Sequence, residues 1–139
     1  MSEQNKAIDR RFFEELFDTG DASVAEEIVA PNYVNHNPAP GETSGPEGVQ
    51  AFINLFRTGF PDGHFTVEDQ IAEGDLVVSR LTATGTHQGE FIGVPATGKP
   101  VNFTAISIHR VTGGQIQEGW VNWDALGMMQ QLGAIPGGP

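Results

Sequence analysis

The strongest constraint on this chain is a change of hydrophobic period near its middle. Up to Phe60 the apolar residues recur at helical steps, and from His64 onward they alternate in the two-residue rhythm of strands. Ile8, Phe12, Phe13, Leu16 and Phe17 form a first apolar stripe, with Asp9, Arg10, Arg11, Glu14 and Glu15 between them. Gly20 is placed to end that helix. Asp21 or Ser23 can cap a short second helix, which carries Val24, Ala25, Ile28 and Val29 inward and is stopped by Pro31. An irregular stretch follows over residues 32–45. Ser44 as N-cap, with Pro46 and Glu47 in the first turn, then predicts a third helix whose stripe is Val49, Phe52, Ile53, Phe56 and Phe60.

Strands are predicted over 64–73, 75–87, 101–112 and 115–124, with a short piece near Phe91 and Ile92. Hairpins turn at Gly74-Asp75 and Gly113-Gly114, and a brief helix closes the chain from Ala125 to Leu132. Helices grouped before a meander of antiparallel strands predict an α+β fold with the helices on one face of the sheet. An alternating parallel α/β sheet is disfavoured. The 139 residues are expected to form one domain over 1–139, ordered from about residue 4 to residue 134, with a frayed tail at Gly137-Gly138-Pro139.

Charge narrows the choice of partners. With 18 acidic and 7 basic side chains the net charge is −11, which repels phosphate backbones and anionic lipid. Nucleic acid and membranes are therefore not expected partners. No apolar run approaches the ~20 residues that span a bilayer, and nothing resembles a signal peptide, so a cytoplasmic location is expected. The chain has no cysteine, which excludes thiolate nucleophiles, thiolate metal sites and disulfides. Its four histidines lack the helical or short strand spacing of metal ligands, and no metal is expected.

Pairing outward from a two-residue turn at Gly113-Gly114 predicts a register for the last hairpin. Thr112 then faces Gln115, Val111 faces Ile116, His109 faces Glu118, Ser107 faces Trp120, Ala105 faces Asn122 and Phe103 faces Asp124. One face would carry Phe103, Ala105, Ser107, His109, Trp120, Asn122 and Asp124, and the other Thr104, Ile106, Ile108, Val121 and Trp123. A face mixing apolar, small and ionisable side chains suits the wall of a pocket for a small hydrophobic or aromatic ligand. Phe56 and Phe60 would supply the far wall. The nearly all-apolar face needs a cover, and a homodimer through Ile106, Ile108, Val121 and Trp123 is expected.

Several segments, in order, carry a family resemblance over nearly the whole chain. They are Arg10-Arg11-Phe12-Phe13-Glu14-Glu15, the run Pro31-Asn32-Tyr33-Val34-Asn35-His36-Asn37-Pro38, Gly85-Thr86-His87-Gln88-Gly89-Glu90-Phe91, Pro95-Ala96-Thr97-Gly98, and the stretch from Trp120 to Gly133. Together they resemble the SnoaL-like polyketide cyclases of the nuclear transport factor 2-like superfamily. The resemblance implies a cone-shaped curved antiparallel sheet wrapped around three N-terminal helices. It also implies dimers, no metal and no organic cofactor, with His36 at the pocket mouth as a ligand contact. Asp124, in Trp123-Asp124-Ala125-Leu126-Gly127, matches the family's catalytic acid/base, and His109, in Ile108-His109-Arg110, matches the histidine that assists it.

The reaction so implied is a cofactor-independent intramolecular aldol closure or isomerisation by a cyclase- or isomerase-type lyase. Two other readings stand beside it. In one, the same cone serves a hydrolase or dehydratase in which Asp124 activates water. In the other it is a non-catalytic carrier or sensor of small hydrophobic molecules. Asp124 also suits an N-cap for the helix starting at Ala125, and His109 suits a partner for Glu118 across the hairpin.

Overall fold

A computed structural model of the chain describes residues 2–38 and 45–135. Helix α1 begins as Ser2–Arg11, widens into a π-helical turn at Phe12–Leu16 and closes as Phe17–Thr19. The extra residue in that turn lets Phe12, Phe13, Leu16 and Phe17 crowd one face, and all four are buried. Gly20, at φ +66°, ends the helix in the left-handed region that glycine reaches without strain. Asp21 then caps α2 (Ala22–Ile28), its carboxylate accepting the Ser23 N–H at 2.9 Å.

Strand β1 (Val29–Asn35) starts directly where α2 stops, ahead of Pro31. The sequence predicts an irregular stretch from residue 32 onward, which covers most of this strand. Pro31 and Asn32 break the alternation there, yet Val29, Ala30 and Tyr33 are buried, and proline is tolerated because β1 is an edge strand. Helix α3 (Gly45–Gly59) buries Val49, Ile53 and Phe56, and the proposed Ser44 cap lies outside the described residues, as does Gly137-Gly138-Pro139.

The sheet is completed by β2 (His64–Glu73), β3 (Leu76–Thr86), β4 (Pro100–Thr112) and β5 (Gln115–Trp123), and α4 (Ala125–Leu132) follows. Strand order is β1-β5-β4-β3-β2, a curved five-stranded sheet that does not close on itself. Neighbours are antiparallel except at one edge, where β1 runs parallel to β5. The fold is therefore α+β as expected, with that parallel edge as a correction. Its helical side is sealed by a core in which Leu16, Ile28, Ile53, Leu81 and Ile116 are fully enclosed. No helix among the described residues is long and apolar enough to cross a membrane.

Single-residue β-bulges bend the sheet at Glu68 in β2 and at Gln117 in β5, and the β1 pairing is also irregular between Val29 and Val34. The bulge at Gln117 overturns the predicted hairpin register. Pairing starts as expected with Thr112 opposite Gln115 and Val111 opposite Ile116, but Gln117 is then an extra residue and Arg110 faces Glu118. Beyond it His109 faces Gly119, Ile108 faces Trp120, Ser107 faces Val121, Ile106 faces Asn122 and Ala105 faces Trp123. A one-residue slip exchanges the two faces of a strand. Val121 and Trp123, expected outside, turn inward with His109, while Asn122 and Asp124 turn outward.

Candidate functional site

A cavity of about 280 Å³ opens between α1, α3 and the inner face of the sheet. Its walls are mostly aromatic, with Phe13, Phe17, Phe56, Phe65, Phe103 and Trp123 prominent among them. The π-helical turn of α1 presents Phe12 and Phe13 to this space and Phe17 follows from the next turn, while the bulge in β5 turns Trp123 toward it. Polar groups gather at one end, where Tyr33, Asn35 and Asn37 join Trp120 and Pro38 as lining.

Among the described residues no carboxylate or cationic side chain lines the wall, and its one imidazole is His109, which is 3% exposed. Its ring is stacked on Phe13 at 5.6 Å and meets the Phe12 ring edge-on at 4.8 Å. The Nδ1–H donates to Asp9 Oδ1 at 2.7 Å. Asp9 comes from α1 and is itself fully buried, and its other oxygen accepts from Gln70 Nε2 at 2.9 Å and from the Ser79 hydroxyl. Three donors thus converge on a single carboxylate, which satisfies an acid that would otherwise be costly to bury. The carboxylate fixes the imidazole tautomer and leaves Nε2 as the basic nitrogen. Gly119 lies opposite; a Cβ there would come within 2.7 Å of both the ring and the Tyr33 hydroxyl, and 3.1 Å of Nε2. Only glycine leaves room for imidazole and phenol to share that corner.

The mouth is fastened separately. His36 stacks on Trp120 at 4.6 Å with an interplanar angle of 11°, and its Nε2 pairs with Glu118 at 3.1 Å. Arg110, and after it His36, hold the Glu118 carboxyl below the usual carboxylate range. That contribution to stability is complete at neutral pH and is lost only as acid protonates Glu118. The His36 N–H donates to the Gly119 carbonyl, and Asn37 Oδ1 accepts the Val121 N–H, so the segment after β1 is laced to β5.

The structure sorts the residues that the sequence had grouped. His109, Phe103 and Phe56 line the cavity, and Trp120 stands at its rim, bordering the outer-face groove as well. His36 sits behind that rim, while its neighbours Asn35 and Asn37 reach the lining. Phe60 is displaced from its predicted role: fully buried, it packs behind the wall against Phe56, Phe91 and His87. Ser107 points inward but is enclosed in the core, and its hydroxyl has no hydrogen-bond partner among the described residues. Asn122 and Asp124 are the main correction. Both are exposed on the outer side, away from the cavity lining, because of the bulge at Gln117.

Asp124 is the N-cap of α4, its carboxylate accepting the Gly127 N–H at 2.8 Å. Asp124→Ala is expected to cost about 1 kcal/mol of stability, read as a lower denaturant midpoint, with no loss of turnover. His109 has no bond to Glu118, which pairs with Arg110 at 2.8 Å and with His36. The functional residue missed in the sequence was Asp9. Its signal was positional, since an acid three and four residues before Phe12 and Phe13 lies on the apolar stripe and not between its members. Among the described residues no three histidine or acidic side chains converge as metal ligands would.

Residues 7–132 match the SnoaL-like polyketide cyclase family. The aklanonic acid methyl ester cyclase DnrD of Streptomyces peucetius is 31% identical over 126 residues, covering 86% of this chain and 84% of DnrD. Among solved structures, IdmH of Streptomyces antibioticus, a candidate polyketide cyclase, is 34% identical with a TM-score of 0.80 over 94% of this chain and 99% of its own. AclR of Streptomyces galilaeus, a candidate hydroxylase, is 28% identical with a TM-score of 0.84 over 100% of this chain and 87% of its own. With the whole sheet and all but the first turn of α1 inside the matched span, the chain belongs to the SnoaL-like polyketide cyclase family.

Proposed function

We infer that the protein is a cofactor-independent cyclase that closes a ring by intramolecular aldol addition, with His109 as the proton-transfer group. The observation carrying this reading is the pair of His109 and Asp9, buried in the wall of an aromatic cavity. In such a site Nε2 takes a proton from the carbon beside a carbonyl. The resulting enolate carbon bonds to a second carbonyl carbon of the same molecule, and the alkoxide formed takes the proton back from the imidazolium. Substrate and product are therefore isomers, and no atom is gained or lost. The Tyr33 hydroxyl shares the corner over Gly119 with the imidazole, which keeps a polar group beside the carbon that is deprotonated. The aromatic walls hold the chain folded, which supplies the proximity an intramolecular step requires.

The substrate this favours is compact and uncharged, because the cavity lies near the lower end of ligand-pocket volumes and its walls are apolar. A protein of net charge −11 also disfavours a free carboxylate. Esterification removes that charge, as in the methyl ester named for DnrD. The test incubates the protein with aklanonic acid methyl ester and with smaller aryl β-diketone esters. Mass spectrometry should find an isomeric product of unchanged mass for at least one of them, formed only when His109 is present. Products differing by water, or no His109-dependent conversion, would overturn it.

A homodimer through the outer sheet face belongs to the same reading, now with Ile106, Ile108 and Trp120 as its apolar surface. Ile106 is 54% exposed there and lines a groove with the other two. Ile106→Glu is expected to halve the mass measured by light scattering at micromolar concentration, since a buried unpaired charge opposes association. A wild-type monomer rejects the dimer.

A further inference from the structure

One residue in the rim is held in a conformation that its side chain opposes. Phe91 and Val94 exchange two backbone hydrogen bonds of 3.0 Å, closing a two-residue turn with Ile92 and Gly93 at its centre. Both central residues have positive φ, +50° at Ile92 and +77° at Gly93. Among the described residues, Ile92 is the one non-glycine with positive φ. Turns of this kind favour asparagine, aspartate or glycine at that position, and a β-branched residue suits it worst.

The backbone around Ile92 leaves no route to relax. Phe91 is 1% exposed and wedged against Phe60 at 5.2 Å and Phe56 at 6.1 Å. Gln88 and Gly89 both donate to the Gly59 carbonyl at the end of α3, and a Cβ on Gly89 would stand 2.2 Å from the Thr58 carbonyl oxygen. On the far side Gly98 donates to the His87 carbonyl, and the Thr97 N–H donates to His87 Nδ1 at 3.2 Å. The segment is clamped at both ends, so the turn imposes its geometry on Ile92.

Burial within the chain does not account for the isoleucine, because its side chain is 49% exposed. Yet Ile92 lines the cavity, beside the buried Phe91. We propose that Ile92 is a specificity-determining lip, kept at a cost in stability because its apolar side chain covers a hydrophobic part of the ligand at the cavity mouth. The proposal rests on the functional reading above only in taking the cavity as the ligand site, and it does not depend on the chemistry of His109. It selects for ligands with an apolar group at the mouth, since a polar group there would lose hydration without gaining a partner.

The experiment compares wild type, Ile92→Asn and Ile71→Asn, the last being an exposed isoleucine outside the cavity lining. Each is titrated with the neutral fluorophore N-phenyl-1-naphthylamine and melted without it. Ile92→Asn is expected to melt about 2–5 °C above wild type, because asparagine accepts the positive φ. Its dissociation constant for the fluorophore should rise about five- to tenfold, as lost apolar cover implies. Ile71→Asn should leave that constant unchanged.

An unchanged constant in Ile92→Asn overturns the lip, and a melting temperature at or below wild type overturns the strain beneath it. No saturable binding of the fluorophore to wild type removes the cavity as a ligand site, and the lip with it. Intact fluorophore binding without ring closure removes only the proton-transfer reading.

Discussion

Replacing His109 by glutamine is expected to lower kcat by about 10²–10⁴-fold, the usual worth of a positioned acid/base. Glutamine can still donate an N–H to Asp9 and roughly preserves the polar volume between Phe12 and Phe13. It lacks a nitrogen that accepts and returns a proton. Steady-state assays should therefore show the fall in kcat, while the dissociation constant for N-phenyl-1-naphthylamine stays within about twofold, because no apolar wall is removed. Equal falls in binding and turnover would mean the imidazole shapes the cavity and does no chemistry. Asp124→Asn offers the contrast: its carboxylate faces solvent and α4, so turnover should persist.

Asp9→Ala should have the largest effect on stability. The substitution removes the shared acceptor of His109, Gln70 and Ser79 in a site with no exposure. Each buried donor left without a partner costs about 1–3 kcal/mol, and breaking such a network about 3–5 kcal/mol in all. For a domain of this size that is a fall in melting temperature on the order of 10 °C, readable by calorimetry. Asp9→Asn restores volume but brings an amide N–H into a cluster of three donors, so it should recover only part of the loss. In both variants the imidazole loses the group that fixes its tautomer, and kcat should fall about 10²-fold or more even below the melting temperature. Unchanged turnover in folded Asp9→Asn would reduce Asp9 to a structural acid.

Local signals carried much of the architecture. The stripe from Ile8 to Phe17, the αL glycine at Gly20, the Asp21 cap and the glycine turns at Gly74 and Gly113 are nearest-neighbour chemistry, visible in any window of a few residues. The β2 range and the closing helix emerged with their predicted bounds for the same reason. Edge strand β1 was hidden because Pro31 and Asn32 interrupt its alternation, and its pairing with β5 brings together segments far apart in sequence.

What the sequence by itself determined was the order of elements apart from β1, the family and the presence of a histidine on the concave side of the last hairpin. Those follow from period, turn chemistry and motif order, all of them short-range. What only the tertiary structure decided was which side chains share that wall. One extra residue at Gln117 reverses the parity of β5, and the run Gly119-Trp120-Val121-Asn122-Trp123 has large apolar residues at both parities, so alternation could not reveal the slip. The partner of His109 lies a hundred residues away on α1. Its selection depended on how the helix docks into the curved sheet, a contact that no local pattern encodes.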